Sequence, residues 1–274
     1  MLDRPVPALP QWAVPGRPAR VLAVVNQKGG VGKTTTAINL ATALATAGES
    51  VLLVDLDPQG NASTGLGVGQ SRRERGTYTA LIGEDSIAAT AVATDVPNLS
   101  VLPADADLAG AELELAALEH REYRLRRALA LASGRHSFVL IDCPPSFGLL
   151  TINGLVAADA VLVPLQCEFF ALEGISQLVR TIERIQQHLN PRLALQGIVL
   201  TMFDKRNNLS ELVAADVRSF FGNLVYQTVI PRNVRVSEAP SHGKPVMLYD
   251  LRSPGAQAYL RLAVEVMRRE SHGQ

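Results

Sequence analysis

Short β-branched and apolar runs alternate, from Val21 onward, with longer stretches in which apolar positions recur every three to four residues. By this pattern Val21 to Val25 is a strand, Lys33 to Ala47 a helix closed by Gly48, and Val51 to Asp55 a second strand, together a βαβ unit. Further strands are predicted at Leu99 to Leu102, Phe138 to Ile141, Ala160 to Val163, Leu195 to Met202 and Leu224 to Val229. Helices are predicted near Leu108 to Glu119, Arg121 to Ala132, Leu172 to Leu189, Leu209 to Phe221 and Gly255 to Arg269. Strands apolar on both faces and separated by helices predict one α/β domain, with a mostly parallel sheet and helices on both faces. Ligand chemistry then belongs at the C-terminal ends of the strands.

The 274 residues, 47% of them hydrophobic, suffice for one large core. Met1 to Arg20 breaks the pattern, because its prolines withhold backbone donors and no period runs through it. It reads as a flexible arm before a domain over residues 21–270, with 271–274 as a tail. Lys plus Arg and Asp plus Glu balance at 26 each, so attraction to nucleic acid or anionic lipid must come from a local patch. Cys143 and Cys167 are too few for a disulfide framework or a four-thiolate metal site, and they fit a reducing compartment. Prolines stand where an export signal would be apolar, and no run approaches the roughly 18 apolar residues of a membrane span. The expectation is a soluble, cytoplasmic protein without a membrane partner.

Charge becomes informative through its distribution. Lysine occurs at Lys28, Lys33, Lys205 and Lys244 only, and the first two share the stretch "VLAVVNQKGGVGKTTTAINLATAL". Gly29, Gly30 and Gly32 allow a tight turn with inward N–H groups at a helix N-terminus, which is how an uncharged loop solvates a polyphosphate. Lys33 would reach the β- and γ-phosphates, Thr34 would give its hydroxyl to Mg²⁺, and Thr35 would contact the α-phosphate side. The pattern G-x-x-x-x-G-K-[ST] asks for glycine where this chain has Gln27, and the extra Lys28 follows that misfit. A chain that otherwise prefers arginine places a compact, flexible-stemmed ammonium there.

Together "KGGVGKTTTAINLATAL" and "VLLVDLDPQGN" resemble the deviant Walker A ATPases of the ParA/MinD group, and the resemblance spans essentially Val21 to Arg269. It implies a P-loop NTPase fold, ATP and Mg²⁺ as cofactors, and a nucleotide site formed by Lys28, Gly29, Gly30, Val31, Gly32, Lys33, Thr34 and Thr35. It also implies that Lys28 crosses a dimer interface to the nucleotide of the other subunit, so that a homodimer forms on ATP binding. Two ATP-bearing faces brought together bury many phosphate charges, and a cation donated across the interface offsets that repulsion. The alternative is that Lys28 neutralises only its own loop's phosphate.

Asp55 and Asp57 close the strand "VLLVD", and from their spacing the two acids are expected to leave the strand end toward opposite faces, with one facing the site. By resemblance Asp57 positions the attacking water and Asp55 supports the phosphate loop. The apolar strand in "FVLIDCPPS" ends in Asp142, the metal-side carboxylate. Pro144 and Pro145 stiffen the next loop, which resembles the family's second switch. No obvious catalytic arginine accompanies these acids, so slow unassisted hydrolysis is expected. Cys143 invites comparison with iron–sulfur ATPases of the superfamily, but its D-C-P-P setting and the absence of a glycine-rich loop around Cys167 argue against a cluster.

"LTMFDKRNNLS" and "VIPRNVRVSEAPSHGKPV" resemble the ParA/Soj chromosome-partitioning branch. The resemblance brings Pro231 to Asn233 toward the adenine, with Met202 either nearby or in the core. It assigns nonspecific double-stranded DNA binding to Arg206 and Arg235, with Lys205, Lys244 and Arg218 as weaker candidates; phosphate contacts need no base readout. It implies a nucleoid-associated ATPase for chromosome or plasmid segregation, stimulated by a centromere-binding ParB/Spo0J-type protein. Two alternatives stand beside it. A MinD-type membrane-surface ATPase would end in a basic amphipathic helix, whereas the final segment here carries Tyr259, Leu260, Ala263, Val264 and Met267 as a core-facing stripe. A small-molecule kinase would need a substrate pocket of its own.

Overall fold

The strands Val51–Asp55 and Phe138–Asp142 are buried from end to end, which is why the sequence shows continuous apolar runs there. The computed structural model describes residues 19–132, 134–168 and 171–272. The arm over residues 1–18 and the last two residues of the expected tail lie outside this range. Eight strands form one sheet: β1 (Arg20–Val24), β2 (Val51–Asp55), β3 (Val92–Ala93), β4 (Leu99–Leu102), β5 (Phe138–Asp142), β6 (Ala160–Gln166), β7 (Ala194–Phe203) and β8 (Val225–Pro231). Their order is β3-β4-β2-β5-β1-β6-β7-β8, parallel throughout except for the β3–β4 pair. The single α/β domain with a mostly parallel sheet is as expected.

The period of two along each strand sorts side chains onto two cores. Ala23, Leu52, Val54, Val139, Ile141, Val161 and Val163 face one helix layer, with Leu150, Ile175, Leu178 and Val217 above them. Leu22, Val24, Val51, Leu53, Leu140 and Leu162 face the other, packed against Ile38, Leu40, Tyr259, Leu262 and Val266. The second layer is made by the helices Lys33–Thr46 and Pro254–His272.

Several boundaries differ from the expectation. Arg20, placed in the arm, opens β1: its N–H donates to the Ser137 carbonyl at 2.8 Å and its guanidinium pairs with Glu270 at 2.8 Å. Ser271 and His272, assigned to the tail, continue the last helix. The helix expected from Leu108 to Glu119 is interrupted at Gly110 into a 3₁₀ turn and Ala111–Ala116, and the next helix is regular only over Arg124–Leu131. A helix at Leu149–Ala157 has no counterpart in the sequence pattern; six of its nine residues are buried, so it lacks an amphipathic period. The C-terminal stripe is turned slightly, with Leu262 and Val266 in the core and Leu260 and Val264 at its margin.

Candidate nucleotide site

The loop between β1 and the helix Lys33–Thr46 is fixed from three sides. Asn26 donates through Nδ2 to the Pro164 carbonyl at 2.8 Å, and its Oδ1 accepts the Lys28 N–H at 3.0 Å. Thr201, on β7, donates its hydroxyl to the Val31 carbonyl at 2.8 Å. Gly30 and Gly32 have φ of 75° and 90°, a region that side chains disfavour. A Cβ on Gly29 or Gly30 would meet nothing within 4 Å, so the loop's mouth is open. No side chain caps the helix and its first turn holds no acid, which leaves its leading N–H groups for an anionic ligand.

Lys33 is buried, and its ammonium donates to the Lys28 carbonyl at 2.9 Å. Burial lowers its pKa, while the charges of Asp142 and Asp57 act in the opposite direction. Asp142 is fully buried at the end of β5 with no hydrogen-bond partner of regular geometry on either oxygen. Burial and then the Asp55 charge hold its pKa well above the usual range, against the Thr34 hydroxyl and the Lys33 ammonium. A buried carboxylate with both oxygens free, beside a hydroxyl, fits a hard cation completed by water and phosphate oxygens. Among the described residues no group of three or more His, Cys, Asp or Glu could hold a metal unaided.

The expectation for Asp55 and Asp57 needs correction. Residues two apart point to the same face of a strand, not to opposite faces, and here the strand ends at Asp55 with both acids buried. Asp55 is the register partner of Asp142 and accepts both the N–H and the hydroxyl of Ser63, at 2.7 and 2.6 Å. Burial chiefly, opposed by the Ser63 hydrogen bonds, pushes its pKa up to about 6. Asp57 accepts the Gln59 N–H at 3.0 Å, and its charge acts on Lys33, Asp55 and Asp142 alike.

A family model described as an AAA domain matches residues 19–195. The chromosome partitioning protein ParA of Caulobacter vibrioides is 64% identical over 259 residues, covering 94% of this chain and 97% of that protein. The sporulation initiation inhibitor protein Soj of Bacillus subtilis is 53% identical, covering 90% of this chain and 98% of its own. The chain belongs to the ParA/Soj family of chromosome-partitioning ATPases. A solved structure of cobyrinic acid a,c-diamide synthase from Mycobacterium smegmatis, with a bound ATP analogue and magnesium, is 43% identical with a TM-score of 0.82, covering 93% of this chain and 97% of that one.

In this ParA/Soj-family chain the ends of β7 and β8 lie together, with Phe203 in register with Pro231 and the Arg232 N–H donating to the Phe203 carbonyl at 3.0 Å. Asn233 has a buried Oδ1 without a partner, and the Met202 side chain reaches Gly32. Lys205 and Arg206 follow β7; Arg235 and Lys244 follow β8. Arg206 grips Asp204 through two contacts of 3.0 and 2.9 Å, and Arg235 pairs with Glu238 at 3.0 Å and Asp250 at 3.5 Å. Lys205 and Lys244 are exposed. Arg218 is half-buried and reaches the Gln227 carbonyl in β8 at 3.4 Å.

Sequence reasoning missed five supporting residues. Asn26, Thr201 and Ser63 act by hydrogen bonds that only the fold creates. Arg73, buried and without an ion pair among the described residues, holds the Gly60 and Val68 carbonyls and the Thr64 hydroxyl. Glu168 forms an ion pair with Lys28. Only Asn26, a polar residue directly after an apolar strand, carries a local signal.

Proposed function

We propose that this chain is a Mg²⁺-dependent ATPase for DNA segregation, which dimerises around ATP, binds double-stranded DNA without sequence preference, and hydrolyses ATP when a centromere-binding ParB/Spo0J-type protein engages it. The observation that carries the reading is the open, glycine-lined loop with Lys33 at its base and the unpaired Asp142 behind it. Gly29 to Gly32 would receive the phosphates through backbone N–H groups, and Lys33 would exchange the Lys28 carbonyl for phosphate oxygens. Thr34 and Asp142 would hold Mg²⁺, which supplies charge neutralisation at the β- and γ-phosphates. Asp57 would orient the attacking water, and Pro231 and Asn233 would contact the adenine. Lys28 would act across the dimer. Arg206, Arg235, Lys205, Lys244 and Arg218 would meet DNA phosphates, so that dimerisation doubles the cationic surface and links nucleoid association to ATP.

The MinD-like alternative needs an amphipathic helix free to lie in lipid. Tyr259, Leu262, Ala263, Val266 and Met267 of the last described helix are instead buried against the sheet, and no helix among the described residues is long and apolar enough to span a membrane. The deciding experiment is a gel shift on random-sequence duplex with ATP, ADP or no nucleotide at two salt concentrations, with Lys33→Ala as control. A salt-sensitive shift with ATP alone, absent in Lys33→Ala, is expected. Equal shifts in all nucleotide states would remove the coupling, and no shift would remove DNA as a partner.

A further inference from the structure

Lys28 is held at its backbone and committed at its side chain. Its N–H is fixed by Asn26 Oδ1 at 3.0 Å, and its carbonyl accepts the Lys33 ammonium at 2.9 Å. The side chain has no such internal fixture. It runs along the surface, 52% exposed, to an ion pair with Glu168 of the same chain, whose side chain is 31% exposed.

Glu168 is placed there by the fold. It follows Gln166, the last residue of β6, in a tight turn: its N–H donates to the Gln166 carbonyl at 3.0 Å, and its own carbonyl accepts the Ala171 N–H at 3.0 Å as the helix Ala171–His188 begins. β6 pairs directly with β1, and the Asn26 to Pro164 hydrogen bond ties the phosphate loop to β6. Lys28 and Glu168 therefore stand on neighbouring strand ends, with the distance between their backbones set by sheet pairing. No other ion pair of either residue occurs among the described residues.

An ammonium has three donors, but a carboxylate of its own chain restricts where the side chain reaches and lowers the net charge it offers a phosphate on another subunit. We infer that Glu168 is a positioning residue for Lys28: in the nucleotide-free monomer it keeps the ammonium on its own chain, and dimerisation proceeds by exchanging that carboxylate for a phosphate of the facing subunit. The inference rests on the reading of Lys28 as a group that acts across the dimer. The exchange replaces a single negative charge with the larger charge of a polyphosphate, so it favours the nucleotide that carries more charge at the interface. It also sets a threshold. A partly exposed ion pair favours its closed form by about 1.4- to 5-fold. The open form is then one copy in about 2.4 to 6, and both copies must open, so the dimerisation constant is weakened by the square of that number, about 5- to 40-fold.

Sedimentation velocity with a non-hydrolysable ATP analogue tests this on the full chain as wild type, Glu168→Gln and Lys28→Ala. Glu168→Gln is expected to dimerise at about 5- to 40-fold lower protein concentration than wild type, and Lys28→Ala not at all. Equal concentrations for wild type and Glu168→Gln overturn the holding role while leaving the dimer reading intact. A weaker Glu168→Gln dimer overturns it too, by making Glu168 part of the interface. If the wild type fails to dimerise, the dimer reading falls, and the holding contact is decided in the monomer by amine acylation of nucleotide-free protein, read by peptide mass spectrometry. Exposed Lys205 and Lys244 serve as internal references. Lys28 acylation relative to Lys205 is expected to rise several-fold in Glu168→Gln, and an unchanged ratio removes the contact.

Discussion

Asp55 and Asp142 stand as register partners on adjacent strands, both fully buried, and three of their four carboxylate oxygens have no hydrogen-bond partner of regular geometry. Neighbouring parallel strands lie about 4.8 Å apart, so two ionised carboxylates at this position repel each other in a poorly screened interior. Asp55 offsets part of this through Ser63, and Asp142 depends on Thr34 and Lys33. The repulsion within the pair is a reason for the site to take up a cation.

A pH dependence follows. The Asp55 pKa is about 6 in the fold against 3.8 as its ordinary value, so between these values the folded chain binds more protons than the unfolded one. Stability then falls as pH rises through this window, by on the order of 3 kcal/mol from Asp55, and stays reduced above it. Thermal melts of nucleotide-free wild type and Asp55→Asn at pH 4.5 and 7 check this. The wild-type Tm should drop more steeply than that of the variant, and parallel profiles would contradict the shift.

Asp57→Ala should retain ATP binding and slow hydrolysis by about 100-fold or more, the scale expected when the group orienting an attacking water is removed. Single-turnover hydrolysis alongside nucleotide titration separates the two effects. A variant that turns over at the wild-type rate would take Asp57 out of the chemical step.

The cations after β7 and β8 differ in what they must give up to meet a phosphate. Arg206 and Arg235 already hold carboxylates, while Lys205 and Lys244 are exposed without an ion pair among the described residues. Lys205→Ala and Lys244→Ala should therefore each cost more DNA affinity than Arg235→Ala. Removing one cation from its phosphate makes the slope of log K against log salt shallower by about 0.9. Titrations at four salt concentrations read both quantities, and a larger effect from Arg235→Ala than from either lysine variant reverses the ranking.

Gly67 sits at φ 76°, where an added Cβ would lie 3.0 Å from the Gly243 carbonyl oxygen. Gly67→Ala should destabilise the protein by about 1 to 2 kcal/mol through backbone strain and this close approach. Gly69, with an ordinary φ and no atom within 4 Å of its would-be Cβ, is the control, and Gly69→Ala should leave Tm within about 1 °C. Equal melting points for the two variants would show that residues 67 and 243 are not packed as described.

The sheet was legible because its strands are long enough and apolar enough to interrupt the helical periods, and only the two-residue β3 escaped. The turn from β1 into the helix Lys33–Thr46 was legible because glycine spacing encodes a backbone shape, with φ of 75° and 90° at Gly30 and Gly32. Helix Leu149–Ala157 was hidden because it is buried nearly all round, with Gly154 packed on Cys143. Asp142 was visible as an acid ending an apolar strand, but its side-by-side placement with Asp55 depends on β2 and β5 pairing across more than eighty intervening residues. The same holds for Glu168, whose partner Lys28 is 140 positions away, whereas Arg73 was hidden because its partners, 5 to 13 positions back, lie in a loop that no period encodes.

β1 lies at the centre of the sheet, between β5 and β6. On the ribosome this gives the first strand the longest wait, because its nearest partner emerges roughly 120 residues later. At about 5 to 20 residues per second that is roughly 6 to 24 s with an apolar strand and a glycine-rich loop exposed. The loop after β1 therefore cannot be fixed in place until more than half the chain has been made, and a truncated product that stops before β5 lacks a sheet centre.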